Sequence, residues 1–315
     1  MKHNETALVT GVAGFIGSHL AEELLHREFS VIGVDRFSDY YPREVKEDNL
    51  ANLKTNQRFK FIEENLLNLD LKELNLDYVF HEAAQAGVRA SWGKDFQIYL
   101  KDNVLVTQKL LEDCLDSKAK KIVFASSSSV YGDVNRLPIH EDILPKPVSP
   151  YGVTKLAAEN LCYLYWKNYN LPTISLRYFT VYGPRQRPDM AINKFVNAIR
   201  KGKEIIIYGD GNQTRDFTYV SDVVNANILA AESHLEGEVF NIGGGSRISV
   251  NHLIDLLEEI IGRKAKIKHI GDQKGDVKNT MASIEKSKRL LGYKPKVTIE
   301  DGLKKYVDWV SKVKV

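Results

Sequence analysis

A chain of 315 residues with 43% hydrophobic and 27% charged side chains has the balance of an ordinary globular protein, long enough for one large domain or two unequal ones. Its 44 basic and 41 acidic residues are well mixed and leave a net charge of +3, which gives no case for a nucleic-acid partner. No apolar run approaches a membrane span, and the N-terminus leads almost directly into a strand pattern, so we expect no leader peptide, no membrane association and a cytoplasmic location.

The first predicted strand, Ala7-Leu8-Val9-Thr10, runs into Gly11-Val12-Ala13-Gly14-Phe15-Ile16-Gly17 and a helix over Ser18 to Arg27. Three glycines at that spacing permit a tight strand-to-helix turn whose backbone amides can approach a pyrophosphate at the helix N-terminus. A second strand, Ser30 to Val34, ends at Asp35, roughly 20 residues after the turn, where a carboxylate would bind the adenosine ribose hydroxyls. Asp35 favours NAD over NADP because it would repel a 2′-phosphate. Arg36 beside it is able to accept such a phosphate, although its simplest reading is a solvated loop residue.

Strand patterns follow at Phe59-Ile62, Tyr78-His81, Lys121-Ala125 and Thr173-Tyr178, with helices around Leu100-Leu115 and Tyr151-Tyr169. This alternation predicts an α/β fold with a doubly wound parallel Rossmann sheet. Cys114 and Cys162 fall in Leu-rich helical stretches and read as reduced core residues that offer no metal site. Beyond Tyr178 the texture changes: Gly, Pro, Arg and Asp cluster at Gly183-Asp189, Gly209-Gly211 and Gly243-Gly245. We expect a dinucleotide domain over 1–180, returning sheet elements near Asp222-Glu232 and Glu238-Ile242 (about 218–245), and a smaller interleaved substrate lobe from 181–217 and 246–315.

Parallel sheets place their chemistry at the carboxyl ends of the strands. Thr10-Gly17, Asp35, Ala83-Arg89, Ser126-Ser129 and Tyr178-Thr180 all fall at predicted strand ends, which argues for a single site. His81 reads as a satisfied structural histidine, and Glu82 as solvated or paired. Tyr151 and Lys155 stand four residues apart at the start of a helix, which puts both on one face. A tyrosine normally holds its proton to pH ~10, and an adjacent ammonium lowers that value, as hydride transfer at a carbinol requires.

With Gly11, Gly14, Gly17, Asp35, His81-Glu82-Ala83-Ala84, Asn103, the run Ser126-Ser127-Ser128-Ser129 and the Tyr151/Lys155 pair, the chain resembles the extended short-chain dehydrogenase/reductase superfamily nearly end to end. Within it, Arg215-Asp216-Phe217 is similar to the segment whose arginine holds the UDP diphosphate in nucleotide-sugar epimerases. Gln273-Lys274-Gly275-Asp276-Val277 resembles the segment near the nucleotide ribose, with Lys274 where relatives carry Pro. The resemblance implies a catalytic trio of Ser127, Tyr151 and Lys155. It implies NAD contacts from Gly11, Gly14, Phe15, Ile16, Gly17, Asp35, Arg36, Asn65, Leu66, Ala83, Ala84, Gln85, Ser126, Tyr178 and, behind the cofactor, Asn103, together with Tyr151 and Lys155. A homodimer through a four-helix interface is also implied. The implied reaction oxidises the sugar transiently to a 4-ketone, turns it over about its diphosphate linkage and reduces it from the other face.

Related dehydratases carry an Asp-Glu pair just after the catalytic hydroxyl, and related decarboxylases a Glu. Ser128 and Ser129 stand there instead, which leaves epimerisation. The stretches Ala83 to Arg89 and Phe179 to Ala191 are similar to those of UDP-glucuronate 4-epimerases, with Thr180 where UDP-galactose 4-epimerases more often place Asn. A buried glucuronate carboxylate needs several donors. Ser128, Ser129, Thr180 and Arg187 are the candidates, with Arg89, Met190, Arg215 and Asp276 completing the expected substrate site. Arg185 and Arg187 also admit reading as a solvated basic loop. UDP-glucose, UDP-N-acetylglucosamine, decarboxylation and a non-catalytic NAD sensor remain the alternatives.

Overall fold

The computed structural model describes residues 5–117, 119–271 and 275–312. In chain order the first half comprises β1 (Thr6–Thr10), α1 (Phe15–His26), β2 (Ser30–Asp35), α2 (Arg43–Ala51), β3 (Phe59–Glu63), β4 (Tyr78–His81), α3 (Phe96–Tyr99), a π-helical turn (Leu100–Leu105), α4 (Val106–Leu115), β5 (Lys121–Ser127), α5 (Pro150–Tyr169) and β6 (Thr173–Tyr178). The second half adds β7 (Thr180–Tyr182), α6 (Ala191–Lys201), β8 (Glu204–Tyr208), β9 (Thr214–Tyr219), α7 (Val220–Glu232), β10 (Glu238–Ile242), β11 (Arg247–Ser249), α8 (Val250–Ile261), β12 (Lys266–Ile270), α9 (Glu285–Leu291) and α10 (Ile299–Lys312).

Seven strands form one parallel sheet in the order β10-β6-β5-β4-β1-β2-β3. Its order reverses between β1 and β4, the position at which such sheets open a crevice for ligand. Side chains alternate across it as strand geometry demands. Leu8, Val79, Ile122 and Phe124 face the layer that contains Leu110, Leu111, Ala158 and Cys162 of α4 and α5. Val9, Phe80, Val123 and Leu176 face the layer of α1 and α7, with Leu20, Leu24, Val223 and Ala226. Burial on both faces explains why the central strands read as continuous apolar runs.

The returning segment Asp222-Glu232 is helix α7, packed on the sheet beside α1, and the strand that rejoins the sheet is β10. An apolar stripe at helical spacing, Val220, Val223, Val224 and Ile228, makes that segment a helix and not a strand. The helix expected over Leu100-Leu115 begins earlier, at Phe96, and contains the π-helical turn. Two small sheets complete the molecule: β11-β9-β7, with one antiparallel and one parallel pairing, and the parallel pair β12-β8.

Candidate active site

A cleft runs along the carboxyl ends of the central strands, over the point where the sheet order reverses. At one end the glycine turn enters α1. A Cβ on Gly17 would lie 2.4 Å from the Gly11 carbonyl oxygen, and one on Gly11 2.8 Å from Ala83 Cα, so the turn closes only without side chains. Gly14 caps α1 with no side-chain hydrogen bond, which leaves the first-turn amides facing the cleft. Asp35, at the end of β2, accepts from the Ala13 amide at 3.1 Å and the Phe37 amide at 2.8 Å. These features fit a dinucleotide: a helix N-terminus for the pyrophosphate and a fixed carboxylate for the ribose.

Of the expected cofactor residues, Gly11, Gly14, Phe15, Ile16, Gly17, Asp35, Arg36, Asn65, Leu66, Ala83, Ala84, Gln85, Ser126, Tyr151, Lys155 and Tyr178 line the cleft. Asn103 stands behind it, accepting from the Gln85 amide at 2.8 Å and donating to Gln85 O and Thr154 Oγ1. Arg36 is not a solvated loop residue: its guanidinium pairs with Asp102 at 2.5 Å. Asp102, Lys46, Ser38, Tyr40, Tyr41 and Glu82 also line the cleft, and the sequence reading assigned none of them to it. Glu82 belongs to the His81-Glu82-Ala83-Ala84 motif, and the others lie outside the family motifs and reach the cleft from the segment after β2 and from the π-helical turn.

Helix α5 delivers Tyr151 and Lys155. Ser149 caps it through a 3.1 Å bond from the Gly152 amide, and Pro150 occupies its first turn. Gly152 lies so close to the Ser129 carbonyl that a Cβ would sit 2.5 Å from that oxygen, which presses the start of the helix onto the serine turn. Ser127, the last residue of β5, accepts from the Ser129 amide at 3.1 Å and hydrogen-bonds the Tyr151 hydroxyl. Burial raises the Tyr151 pKa, while the Ser127 hydrogen bond and the Arg187 guanidinium lower it.

The cation whose charge reaches the phenol in this structure is Arg187. Lys155 points deeper, with its ammonium 4.7 Å from the Phe124 ring centroid. Burial lowers its pKa to about 8, against an opposing pull from the Glu82 carboxylate. Glu82 itself is raised by burial to about 7, accepts from the Tyr178 hydroxyl at 2.7 Å and is drawn the other way by Lys155. Tyr178 in turn accepts from Asn227 at 2.7 Å. Glu82 is thus paired, one of the two readings its sequence context allowed.

His81 is a satisfied core histidine. Thr107 gives its hydroxyl proton to the Asn103 carbonyl, so it accepts from His81 Nε2, and Thr10 donates to Nδ1. Burial lowers the His81 pKa to about 3.

The expected substrate residues fall into two groups. Arg187 borders the cleft, where Asp189 grips it through bonds of 2.9 and 3.1 Å. Tyr40 also donates to Asp189, at 3.1 Å. Ser128 and Ser129 are half-buried in the turn after β5, Thr180 begins β7, and Met190 precedes α6. Farther along, Arg89 pairs with Asp276 at 2.6 Å and lies 4.0 Å over the Tyr208 ring, with Arg215 close enough to feel both charges. Arg185 turns away and pairs with Glu22 of α1 at 2.6 Å. Gln273 and Lys274 lie outside the described residues.

Residues 7–243 match the model of the NAD dependent epimerase/dehydratase family. The UDP-glucuronate 4-epimerase of Thermodesulfobacterium geofontis is 44% identical over 309 residues, covering 96% of this chain and 95% of the relative. The uncharacterized UDP-glucose epimerase YtcB of Bacillus subtilis is 47% identical, with coverage of 96% and 97%. The crystal structure of UDP-glucuronic acid 4-epimerase from Bacillus cereus, in complex with UDP-glucuronic acid and NAD, superposes with a TM-score of 0.95 at 46% identity, covering 98% of this chain and 99% of that one. On its glycine turn, its sheet and this similarity over nearly its whole length, the chain belongs to the NAD dependent epimerase/dehydratase family.

Proposed function

We propose that the protein interconverts UDP-glucuronate and UDP-galacturonate as an NAD-dependent 4-epimerase. The observation that carries this reading is the Arg187 guanidinium, whose charge reaches Tyr151, together with the serine turn packed against the start of the Tyr151 helix. Ser128, Ser129 and Thr180 offer hydroxyls, Arg187 offers charge, and positions 128 and 129 carry no carboxylate to drive elimination. NAD, held by the Gly11–Gly17 turn and Asp35, supplies a hydride acceptor and donor at the sugar C4. The chain's own groups do the rest. Ser127 bridges the 4-hydroxyl and Tyr151, Tyr151 takes and returns the proton, and Lys155 holds the nicotinamide ribose. Arg89, Arg215 and Asp276 grip the nucleotide end, about which the ketone turns over. Met190 completes the expected substrate contacts.

A 4-keto glucuronate is a β-keto acid and loses carbon dioxide when its carboxylate aligns with the ketone. Short fixed donors from Ser128, Ser129 and Thr180 hold that group out of alignment. The second reading, UDP-glucose epimerisation, is favoured by the Asp189 grip on Arg187, which leaves the guanidinium satisfied without a substrate carboxylate. Incubation of the purified protein with UDP-glucuronate and, separately, UDP-glucose, without added NAD, decides between them by proton NMR. UDP-galacturonate is expected from the first tube; UDP-galactose from the second alone would overturn the carboxylate reading.

The sugar lobe in this reading comprises residues 181–217 and 246–315, with 1–180 and the returning α7 and β10 holding NAD. The apolar surface of the α3–α4 run and α5, with Leu100 and Leu105 on one and Val153 and Leu164 on the other all exposed, supports a homodimer through a four-helix interface. Light scattering on the intact protein and on Leu105→Glu tests it, with a dimer expected from the first and a monomer from the second. The buried, unpaired Cys114 and Cys162 suit a reducing cytoplasm.

A further inference from the structure

The end of the cleft beside Asp35 is rich in charge. Asp35, Arg36, Lys46 and Asp102 all line it. Each cation is engaged: Arg36 with Asp102 at 2.5 Å, and Lys46 with the backbone carbonyl and hydroxyl of Ser38. The Asp102 side chain is 10% exposed against 35% for Arg36, so the carboxylate is anchored in the protein and reaches out to hold the guanidinium.

Asp102 lies in the π-helical turn. Within Leu100–Leu105 the turn is wider, and the adjacent Asp102 and Asn103 are both buried. Asn103 holds the Gln85 backbone, while Asp102 holds Arg36. Such wide turns recur where a functional residue must be aimed.

We propose that Asp102 is a cofactor-specificity residue: by holding Arg36 in an ion pair it withholds a guanidinium that would otherwise accept the 2′-phosphate of NADP. Rejection of NADP then rests on two carboxylates, Asp35 by repulsion and Asp102 by sequestration. Removing either one alone leaves the other in force. Removing both leaves a free arginine at the ribose, the arrangement that accepts a 2′-phosphate. Arg36 is the group gained, and a charge-assisted hydrogen bond to phosphate is the source of the gain.

The inference rests on the cleft holding a dinucleotide, and the experiment separates the two. Purified wild type, Asp35→Ala, Asp102→Asn and the double variant are exchanged against equal concentrations of NAD and NADP. Bound cofactor is released by acid and the ratio read by chromatography, with no turnover involved. Wild type and Asp102→Asn are expected to carry NAD, and Asp35→Ala a small NADP fraction. The double variant is expected to raise the NADP:NAD ratio about tenfold or more over Asp35→Ala, the value of one hydrogen bond to a charged group. Adding Arg36→Ala to the double variant should abolish that rise. A double variant equal to Asp35→Ala, or a rise that survives Arg36→Ala, overturns the proposal. So does an Asp102→Asn protein that loses NAD itself, which would make Asp102 a support of the turn and not a selector. Wild type that carries neither dinucleotide refutes the cofactor reading instead.

Discussion

Breaking the ion pair beneath the catalytic helix should cost the protein a large part of its stability. Glu159 of α5 and Arg177 of β6 are 3% and 4% exposed, and they meet through bonds of 2.6 and 3.0 Å. Ser126 donates to the same carboxylate at 2.6 Å, and Arg177 donates to the Tyr131 hydroxyl at 2.7 Å, which passes on to Asn241. Glu159→Ala leaves a guanidinium buried without its counter-charge, a defect that costs about 3–5 kcal/mol. With an unfolding entropy of about 2.1 cal/mol/K per residue, a chain of 315 residues loses about 1.5 °C per kcal/mol, so the midpoint of thermal unfolding should fall by about 5–8 °C. Glu159→Met with Arg177→Met removes both charges and should recover part of the loss, short of the about 1–3 kcal/mol for a stranded Ser126 hydroxyl. Urea titration followed by tryptophan fluorescence reads all three proteins. A loss below about 1 kcal/mol in Glu159→Ala, the value of an exposed pair, would falsify the reasoning.

Three further outcomes follow from the site. Tyr151→Phe should lower turnover by about 10²–10⁴-fold while the purified protein still carries NAD, measured by NMR turnover and by acid release of the cofactor. Thr180→Ala should divert part of the product to a UDP-pentose and carbon dioxide, and persistent clean epimerisation would count against the clamp on the carboxylate. His81 has a folded pKa near 3 against 6.5 unfolded, so the unfolded chain binds the extra proton between those values. Its contribution is present above about pH 6.5 and is lost as pH falls toward 3. His81→Gln should flatten that limb of the stability curve, and urea midpoints at pH 4, 5, 6 and 7 that fall as steeply as wild type would show that other groups govern it.

Local chemistry made the frame of this protein legible before any coordinates. The glycine turn and the start of α5 are written in consecutive residues, and their physics acts over a few bonds: glycines that admit no Cβ, a serine cap, a proline in the first turn. The continuous apolar runs around Leu8-Val9 and Ile122-Val123 likewise announce strands covered on both faces. Asp222-Glu232, expected as a sheet element, is a helix because its apolar residues recur at i, i+3, i+4 spacing.

What the tertiary structure alone decided is which charge meets which. Arg185 and Arg187 are chemically identical and two residues apart, yet a left-handed φ of 65° at Arg185 turns it back onto Glu22, while Arg187 lies toward Tyr151. Arg36 finds Asp102 across 66 residues, and Glu82 finds Tyr178 across 96. Lys155 shares a helical face with Tyr151, as the spacing of four predicts, but its longer side chain reaches past the phenol to Glu82 and Phe124. Side-chain type and spacing determine what a residue can do and which way its helix or strand presents it. The partner that sets its charge depends on how the sheet brings distant strand ends together, and that Coulomb term is written in no local stretch of the chain.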